Sequence, residues 1–432
     1  MSSKIGATKL ARTADARELA SDFGGIFSKT PRRILTARAG LEKKIGEATR
    51  RQQELSVRGA GHSCMGQSLS RDVLLASYRP EAARVRQLDD RRFEVDSWAS
   101  WDQVERALNR ADRTFPVLTD YLALSVGGTL SVGGIGLNSL RAGLQIDHVE
   151  SIELVTPSGQ RLTCDRDRNR DYFELALAGL GQVGWIERVI LRTSRLERYT
   201  SVSRRRHESI SEMIDFIEFV TSADCAVQHY SGFILNDVIA SEFGAFGEHR
   251  NQLAELSAIW PSTTQLGIFE DYPFVMEQRR RAWLAQYPDS VRLWTDYVFP
   301  IEQARAFGAY MEERLRDREV SEFAKAIYVL VISRQAAAVP FALAPTSGSG
   351  TYVGFGWYNM VSRWDPLKIE TARACLKAVL GQCIALGGRP YLYGFNELDE
   401  QQRTLIYGEP WRRLSELRSA SGWQGFNAHA FK

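Results

Sequence analysis

The apolar residues of the chain follow two patterns, one typical of helices and one typical of strands, and these patterns predict its secondary structure. Short runs of β-branched and other apolar residues predict strands over 55–58, 72–76, 92–96 and 185–193. Helical spacing and capping residues predict helices over 33–53, 101–109, 208–222 and 366–386. The mixture of both kinds of element predicts an α+β protein.

Capping residues define the ends of two of these helices. Ser100 with Gln103 has the spacing of a capping box before the helix that begins at residue 101. Asp365 and Pro366 supply an N-cap and a first-turn proline, and Gly387–Gly388 follows the last apolar position. We therefore expect one long helix over 366–386, with its two cysteines in the core.

Antiparallel pairing is predicted in two parts of the chain. The apolar runs of 146–163 flank the turn sequence Thr156-Pro-Ser-Gly159, which is typical of a hairpin. Residues 326–334 and 351–362 are rich in Val, Ile, Tyr, Phe and Trp, the residues that strands prefer. These runs predict an antiparallel sheet in the second half of the chain.

Length and charge limit the classes of protein that need to be considered. A chain of 432 residues is longer than one hydrophobic core usually supports, so we expect two domains. The boundaries fall near 197 and 390: residues 1–197, completed by 390–432, form the first domain, and 198–389 the second. A net charge of only +3 gives no reason to expect a nucleic-acid or membrane surface.

The composition of the first residues and the pattern of cysteines predict a reducing compartment. Residues 1–12 lack a continuous apolar segment, and no run of eighteen apolar residues occurs anywhere, so we expect a cytoplasmic protein that does not enter a membrane. The cysteines are odd in number and scattered, which fits free thiols better than a disulfide framework. They are Cys64, Cys164, Cys225, Cys375 and Cys383.

Three glycine-rich segments carry the chemical information. They are Ser56–Ser68, which contains His62, then Val126–Gly136 and Ala178–Gly184. Glycines such as Gly59 and Gly61 permit positive φ, so that successive N–H groups can converge on a phosphate. Together the three segments suggest one extended ligand with phosphate groups, although glycine pairs also mark bulges and strand crossings.

Four motifs give the chain a resemblance to a known family. Arg58-Gly-Ala-Gly-His-Ser63, Thr119-Asp-Tyr-Leu122, Val126-Gly-Gly-Thr-Leu-Ser131 and Gly179-Leu-Gly-Gln-Val-Gly184 occur in the same order in cytokinin dehydrogenases. The chain resembles that branch of the vanillyl-alcohol-oxidase-type flavoproteins. The resemblance implies a two-domain PCMH-type FAD-binding fold, in which residues 198–389 form a substrate-binding domain built on an antiparallel sheet flanked by helices.

The same resemblance implies an activity. It is the FAD-dependent oxidation of a small amine, such as the N6 side chain of a cytokinin, to an imine by hydride transfer to flavin N5. Oxygen or a quinone-like compound is the expected electron acceptor, and the protein is expected to be a monomer or a homodimer.

His62 corresponds to the family's histidine that is bonded covalently to the flavin 8α-methyl group. A neutral imidazole is a competent nucleophile near pH 7, whereas the alternative is a histidine that caps a turn. Some relatives add a second link through a cysteine in the segment that matches 120–136, but none occurs here. We therefore expect a single link, with Cys64 as a packed side chain.

Asp120 corresponds to the family's catalytic base, which accepts a proton from the substrate amine. Loss of hydride from the carbon beside nitrogen develops positive charge, and a carboxylate can stabilise that charge or remove the N–H proton. An aspartate after a threonine is also a common turn or cap former.

The remaining site residues come from the same motifs. Thr129 and Ser131 are expected to donate to phosphate oxygens. The full set assigned to the cofactor is Arg58, Gly59, Ala60, Gly61, His62, Ser63, Gln67, Ser68, Thr119, Asp120, Tyr121, Gly127, Gly128, Thr129, Ser131, Gly134, Gly181, Gly184 and Ile186. Trp357 and Asn359 are the predicted wall for a planar, apolar substrate.

The remaining clusters of charged residues and the remaining histidines predict no further functional site. Arg204–Arg206 and Arg279–Arg281 are interpreted as solvated faces, and the remaining histidines lack metal-binding spacing, so no metal is expected.

The second half of the chain departs from the family. Its nearest match to the family's His-Pro-Trp-type segment is Tyr287–Trp294, and the closing Asp-Pro-x-x-x-Leu-x-Pro-Gly-Gln motif is absent. The substrate therefore stays open among an amine, an alcohol or a ring of secondary metabolism, and a flavin-binding protein without catalysis is a further alternative.

Overall fold

A computed structural model of the chain describes residues 19–222, 224–235, 238–258, 263–333 and 339–431. The segment 1–12 considered above and the first 18 residues of the predicted first domain lie outside this part. Within it, no helix is both long and apolar enough to cross a membrane.

Helices occur throughout the described chain. They are α1 (Glu42–Arg50), α2 (Trp101–Asn109), α3 (Val126–Leu130), α4 (Ser139–Ala142), α5 (Arg170–Ala176), α6 (Ile210–Thr221), α7 (Arg250–Ala258), α8 (Tyr272–Leu284), α9 (Ile301–Leu315), α10 (Arg318–Phe323), α11 (Pro366–Ala385), α12 (Glu400–Tyr407) and α13 (Glu409–Ala420). Short 3₁₀ turns span Pro80–Ala82 and Gln145–His148.

A small parallel sheet carries the first glycine segment at its edge. Its strands are β1 (Arg33–Thr36), β2 (Leu55–Arg58) and β3 (Val73–Ala76), in the order β1-β3-β2. The helix predicted over 33–53 is wrong at its start, because Ile34 and Leu35 pair with Leu74 and Leu75 of β3 and the helix α1 begins only at Glu42. Pairing along the sheet thus overrides the local helical pattern.

A second, five-stranded sheet has the order β4-β5-β9-β7-β8. Its strands are β4 (Val85–Gln87), β5 (Arg92–Asp96), β7 (Val149–Val155), β8 (Arg161–Asp165) and β9 (Trp185–Arg192). β7 and β8 form the predicted hairpin around the turn that begins at Thr156. Ser100 caps α2 as predicted by accepting from the Gln103 N–H, but the Gln103 side chain donates to the Ala83 carbonyl instead of completing the capping box.

A nine-stranded antiparallel sheet occupies the second half of the chain. It contains β11 (Tyr199–His207), β12 (His229–Leu235), β13 (Val238–Gly244), β14 (Phe246–Gly247), β15 (Thr264–Glu270), β16 (Ser290–Pro300), β17 (Ala324–Ser333), β18 (Thr351–Ser362) and β19 (Arg389–Pro390). Its order is β14-β11-β13-β12-β17-β18-β16-β19, with β15 also paired to β11. A two-stranded ribbon joins β6 (Arg113–Thr114) to β10 (Ser194–Arg195). The α+β class and the antiparallel sheet are confirmed.

Helices α6, α9 and α11 pack on this sheet or on one another. α11 runs from Pro366 to Ala385 as predicted, and the Asp365 carboxylate accepts from the Lys368 N–H. Cys375 and Cys383 are buried in the core.

The hydrophobic core extends through both halves of the chain. One cluster contains buried residues of α2 and β9 together with those of β16, β18 and α11. The chain passes from β10 to β11 near the predicted boundary at 197, and the division into two domains stays a prediction. Near the carboxyl end, the Gly425 carbonyl accepts from the Leu55 N–H, so this segment packs on β2 of the small sheet.

Candidate active site

One cavity joins the three glycine-rich segments to a face of the large sheet. Most of the predicted cofactor residues line it: Gly59, Ala60, Gly61, His62, Ser63, Gln67, Ser68, Thr119, Asp120, Tyr121, Gly127, Gly128, Thr129, Ser131, Gly181, Gly184 and Ile186. Arg58 and Gly134 do not line it. A Cβ at Gly134 would lie 2.1 Å from Oε1 of Gln145, so this glycine is needed for packing.

The loop after β2 presents unused backbone donors to the cavity. The carbonyls of Gly61 and Ser63 accept from the N–H groups of Phe23 and Gly24, at 2.9 and 3.3 Å. The N–H groups of Gly59, Gly61, His62 and Ser63 make no hydrogen bond within the described part of the chain. Since such donors are normally satisfied, the loop fits a ligand with phosphate oxygens.

The Ser97 hydroxyl is a further unused group on the same wall. It is buried, lines the cavity, and has no hydrogen-bond partner among the described residues. Nearby, Cβ atoms at Gly59 and Gly128 would lie 2.2 and 2.7 Å from the Ser125 hydroxyl, so only glycine allows this close approach. The donors and the tight backbone packing fit the expected dinucleotide.

The hydroxyls of Thr129 and Ser131 are engaged within the protein. Thr129 accepts from the Trp101 indole at 2.8 Å and donates to the Val126 carbonyl at 3.2 Å. Ser131 donates to the Gly127 carbonyl at 2.7 Å. Both residues line the cavity, both hydroxyls are directed to main-chain carbonyls of α3 in this structure, and their donation to phosphate stays a prediction.

His62 is held between two aromatic rings. Its ring lies 4.2 Å from that of Phe23, nearly parallel, and 4.6 Å from that of Tyr121. Burial, together with the charges of Arg280 and Arg292, lowers the pKa of His62 to about 3. The imidazole is therefore neutral at pH 7 and keeps a lone pair for a nucleophilic role.

Asp120 lies in a turn that a distant glutamate holds in place. The Glu277 carboxylate of α8 accepts from the Leu122 N–H and from the Arg281 guanidinium, both at 2.5 Å. Burial raises the pKa of Asp120, and the guanidinium of Arg280 opposes this shift. A carboxylate with a raised pKa is a stronger base than an exposed aspartate once it is ionised.

The large sheet contributes polar residues that the sequence did not indicate. The Tyr393 hydroxyl donates to Asp296 at 2.8 Å, and burial raises the pKa of Asp296 to about 6. The cavity residues missed from sequence include Phe23, Arg280, Trp294, Asp296, Tyr328, Tyr358, Tyr391 and Tyr393. Side chains alternate between the two faces of the sheet along β16 and β18, so the sequence indicates which of them share a face. It does not indicate which face borders the cavity.

The predicted substrate wall lies on the wrong face of β18. Trp357 and Asn359 are buried and do not line the cavity, whereas Tyr358 between them does. Successive side chains of a strand point to opposite faces of the sheet. A prediction that is wrong by one residue therefore selects side chains on the opposite face.

Asn427 connects the carboxyl-terminal segment to the cavity. Its side chain accepts from the Val57 N–H and donates to the Gly181 carbonyl, both at 2.8 Å. Gln182 in turn donates to the Asn427 carbonyl at 2.9 Å. A residue five positions from the end thus joins β2 to the third glycine segment, which no local pattern indicates.

Comparison with known proteins agrees with the resemblance stated from the sequence. Residues 36–165 match a family described as FAD binding domain. The chain is 34% identical over 174 residues to an uncharacterized oxidoreductase of the fasciation locus of Rhodococcoides fascians, which is 40% of each protein. It is 31% identical over 234 residues to cytokinin dehydrogenase 3 of Arabidopsis thaliana, 52% of this chain and 45% of the relative.

A longer match at lower identity reaches into the second half of the chain. It is 28% identical over 313 residues to cytokinin dehydrogenase 4 of Oryza sativa subsp. japonica, 66% of this chain and 58% of the relative. The chain thus spans less than two thirds of the length of these relatives. The resemblance to cytokinin dehydrogenases and the FAD-binding region are confirmed.

Proposed function

We propose that the protein is an FAD-linked oxidoreductase that dehydrogenates a small amine to an imine. One observation carries the proposal: the neutral imidazole of His62, the unused loop amides and the Asp120 carboxylate border the same cavity. The similarity to cytokinin dehydrogenases supports the reaction type, and the match to an FAD binding domain supports the cofactor.

The residues around the cavity divide into two groups in this proposal. The loop amides from Gly59 to Ser63 hold the diphosphate, and His62 provides the single covalent attachment. FAD, when bound, supplies the acceptor for the substrate hydride at its N5 atom. The electron acceptor would be oxygen or a quinone-like compound.

Asp120 removes the proton from the substrate nitrogen. Burial raises the pKa of Asp120, which makes its carboxylate a stronger base, and the positive charge of Arg280 acts in the opposite direction. Phe23, Trp294 and Tyr358 provide apolar surface that excludes water from the reacting atoms.

The covalent attachment is tested on denatured protein. Acid-unfolded wild type should stay yellow and have the intact mass of the polypeptide plus one FAD, whereas His62→Ala should release its flavin. Cys64→Ser is the matched control, because it changes a buried side chain of the same loop and should keep the link. A colourless unfolded wild type with the bare polypeptide mass contradicts the attachment.

The reaction is tested by anaerobic bleaching of the flavin. At least one member of a set made up of isopentenyladenine and secondary amines with and without a carboxylate should reduce it, whereas reduction by alcohols alone would favour the alternative, in which Asp120 deprotonates oxygen. Asp120→Asn should slow reduction by roughly 10²- to 10⁴-fold with unchanged flavin content. Asp102→Asn, at an exposed ion pair with Arg106, should react like wild type, and an unchanged rate in Asp120→Asn would remove the assigned base.

A further inference from the structure

The three consecutive arginines of α8 have different surroundings. Arg279 pairs with Glu242 at 3.6 Å and Arg281 with Glu277 at 2.5 Å. Arg280, between them, lines the cavity. The solvated face expected from sequence thus fits the outer two arginines and is corrected for the middle one.

Aromatic rings surround the Arg280 guanidinium. Its central carbon lies 5.0 Å from the ring centre of Tyr358, 5.3 Å from Trp294, 5.5 Å from Trp283 and 5.8 Å from Tyr328. Rings at these distances attract a cation and restrict its motion, so the guanidinium is held in one place on the cavity wall.

Most hydrogen-bond donors of Arg280 are unused. Its one hydrogen bond to another described residue runs from Nη2 to the Tyr358 hydroxyl at 3.4 Å. In the described parts of the chain, no carboxylate oxygen lies within 4.0 Å of the guanidinium. A guanidinium has five N–H donors, and donors removed from bulk water are normally satisfied.

We propose that Arg280 binds a carboxylate of the substrate, so that the substrate is an amine that also carries a carboxylate group. This inference rests on the proposed function and names its substrate class. A planar guanidinium binds a carboxylate through two parallel hydrogen bonds. Each charged group of the substrate then faces protein groups of opposite charge: the amine faces Asp120 and Asp296, and the carboxylate faces Arg280.

A role as a simple counter-ion for Asp120 and Asp296 makes a different prediction. A counter-ion needs only positive charge, so lysine at position 280 would serve nearly as well. A carboxylate anchor needs the planar pair of donors, which lysine lacks. Arg280→Lys therefore separates the two roles, and retention of the charge protects the variant from the loss of stability that a neutral residue could cause.

The test is calorimetric titration of the purified holoprotein with matched pairs of acid and amide. The probes are benzoate against benzamide, and indole-3-acetate against indole-3-acetamide. In wild type, the acid of at least one pair should bind about tenfold more tightly or better than its amide. Arg280→Gln and Arg280→Lys should both lose this preference, and Arg279→Gln, on the same helix, should keep it.

Two results overturn the inference. One is the absence of an acid preference in both pairs for wild type, including the absence of any binding. The other is a preference that survives in Arg280→Lys or Arg280→Gln. Failure of the proposed function is seen separately, as missing flavin or as flavin that no amine bleaches, because the titration follows bound ligand and not turnover.

Discussion

Several carboxyl groups are buried in this protein at a cost that depends on pH. Burial raises the pKa of Asp22 to about 6, of Asp296 to about 6 and of Glu105 to about 7. For each group the folded protein prefers the protonated form more strongly than the unfolded chain does. Their contributions to stability are therefore present at low pH and are lost as the pH rises through these folded values.

Asp296→Asn should reveal this effect at the cavity. Asparagine keeps an acceptor for the Tyr393 hydroxyl but does not ionise, so the variant avoids the cost that wild type meets above about pH 6. Its free energy of unfolding relative to wild type should rise by about 1–2 kcal/mol between pH 4.5 and pH 8. Urea unfolding at both values measures this.

The half-exposed Asp102→Asn provides the baseline for that comparison. A difference between Asp296→Asn and wild type that is the same at both pH values, or that shrinks as the pH rises, would contradict a carboxyl group protonated by burial.

At the scale of elements, two glycines within helices have opposite roles. Gly381 lies on the exposed side of α11, and a Cβ there would meet no atom within 4 Å. Gly308 in α9 lies against α6, and a Cβ there would be 2.7 Å from Cγ2 of Ile210 and 3.3 Å from Cδ1 of Ile214. The first glycine only weakens its helix, whereas the second allows two helices to approach.

Alanine at these two positions should therefore have effects of opposite sign. Gly381→Ala should raise the free energy of unfolding by about 0.5–1 kcal/mol, because alanine is the better helix former. Gly308→Ala should lower it by about 1–3 kcal/mol, because the added methyl group forces α6 and α9 apart. Thermal and urea unfolding of the two variants measure this, and equal shifts in one direction would contradict the packing described for α9.

At the scale of the whole molecule, the carboxyl-terminal segment borders the end of the cavity that the glycine-rich segments form. Asn427 accepts from the Val57 N–H and donates to the Gly181 carbonyl, and it lines the cavity itself. The main-chain hydrogen bond from Leu55 to Gly425 runs beside it. Residues 370 positions apart thus depend on one another for their hydrogen bonds.

Asn427→Ala should affect stability and cofactor retention together. It leaves the partly buried Val57 N–H and the buried Gly181 carbonyl without this partner, which should lower the free energy of unfolding by about 1–3 kcal/mol. Proteolysis should become faster near the carboxyl end, and the flavin content of purified protein should fall. Gln401→Ala, at an exposed position of the same segment, is the control. Equal behaviour of the two variants would show that the hydrogen bonds of Asn427 do not contribute to stability.

Local sequence was sufficient for elements that need only their own residues. α2 and α11 begin at the capping residues Ser100 and Asp365, since a cap is formed within one turn of the helix. The hairpin of β7 and β8 likewise depends on its own turn. In contrast, β1 was predicted as helix, because its pairing with β3 involves residues 40 positions away.

The sequence by itself determined the side of the cavity that the glycine-rich segments form, because these glycines, His62 and Asp120 lie in short motifs that are each complete within a few residues. Only the tertiary structure decided the opposite side, where Arg280, Asp296 and Tyr358 come from separate elements. Their neighbours Arg279, Arg281 and Trp357 are equally suitable by composition. What distinguishes them is the direction in which each side chain points once the helix and strands are packed, and packing depends on residues far away in the chain.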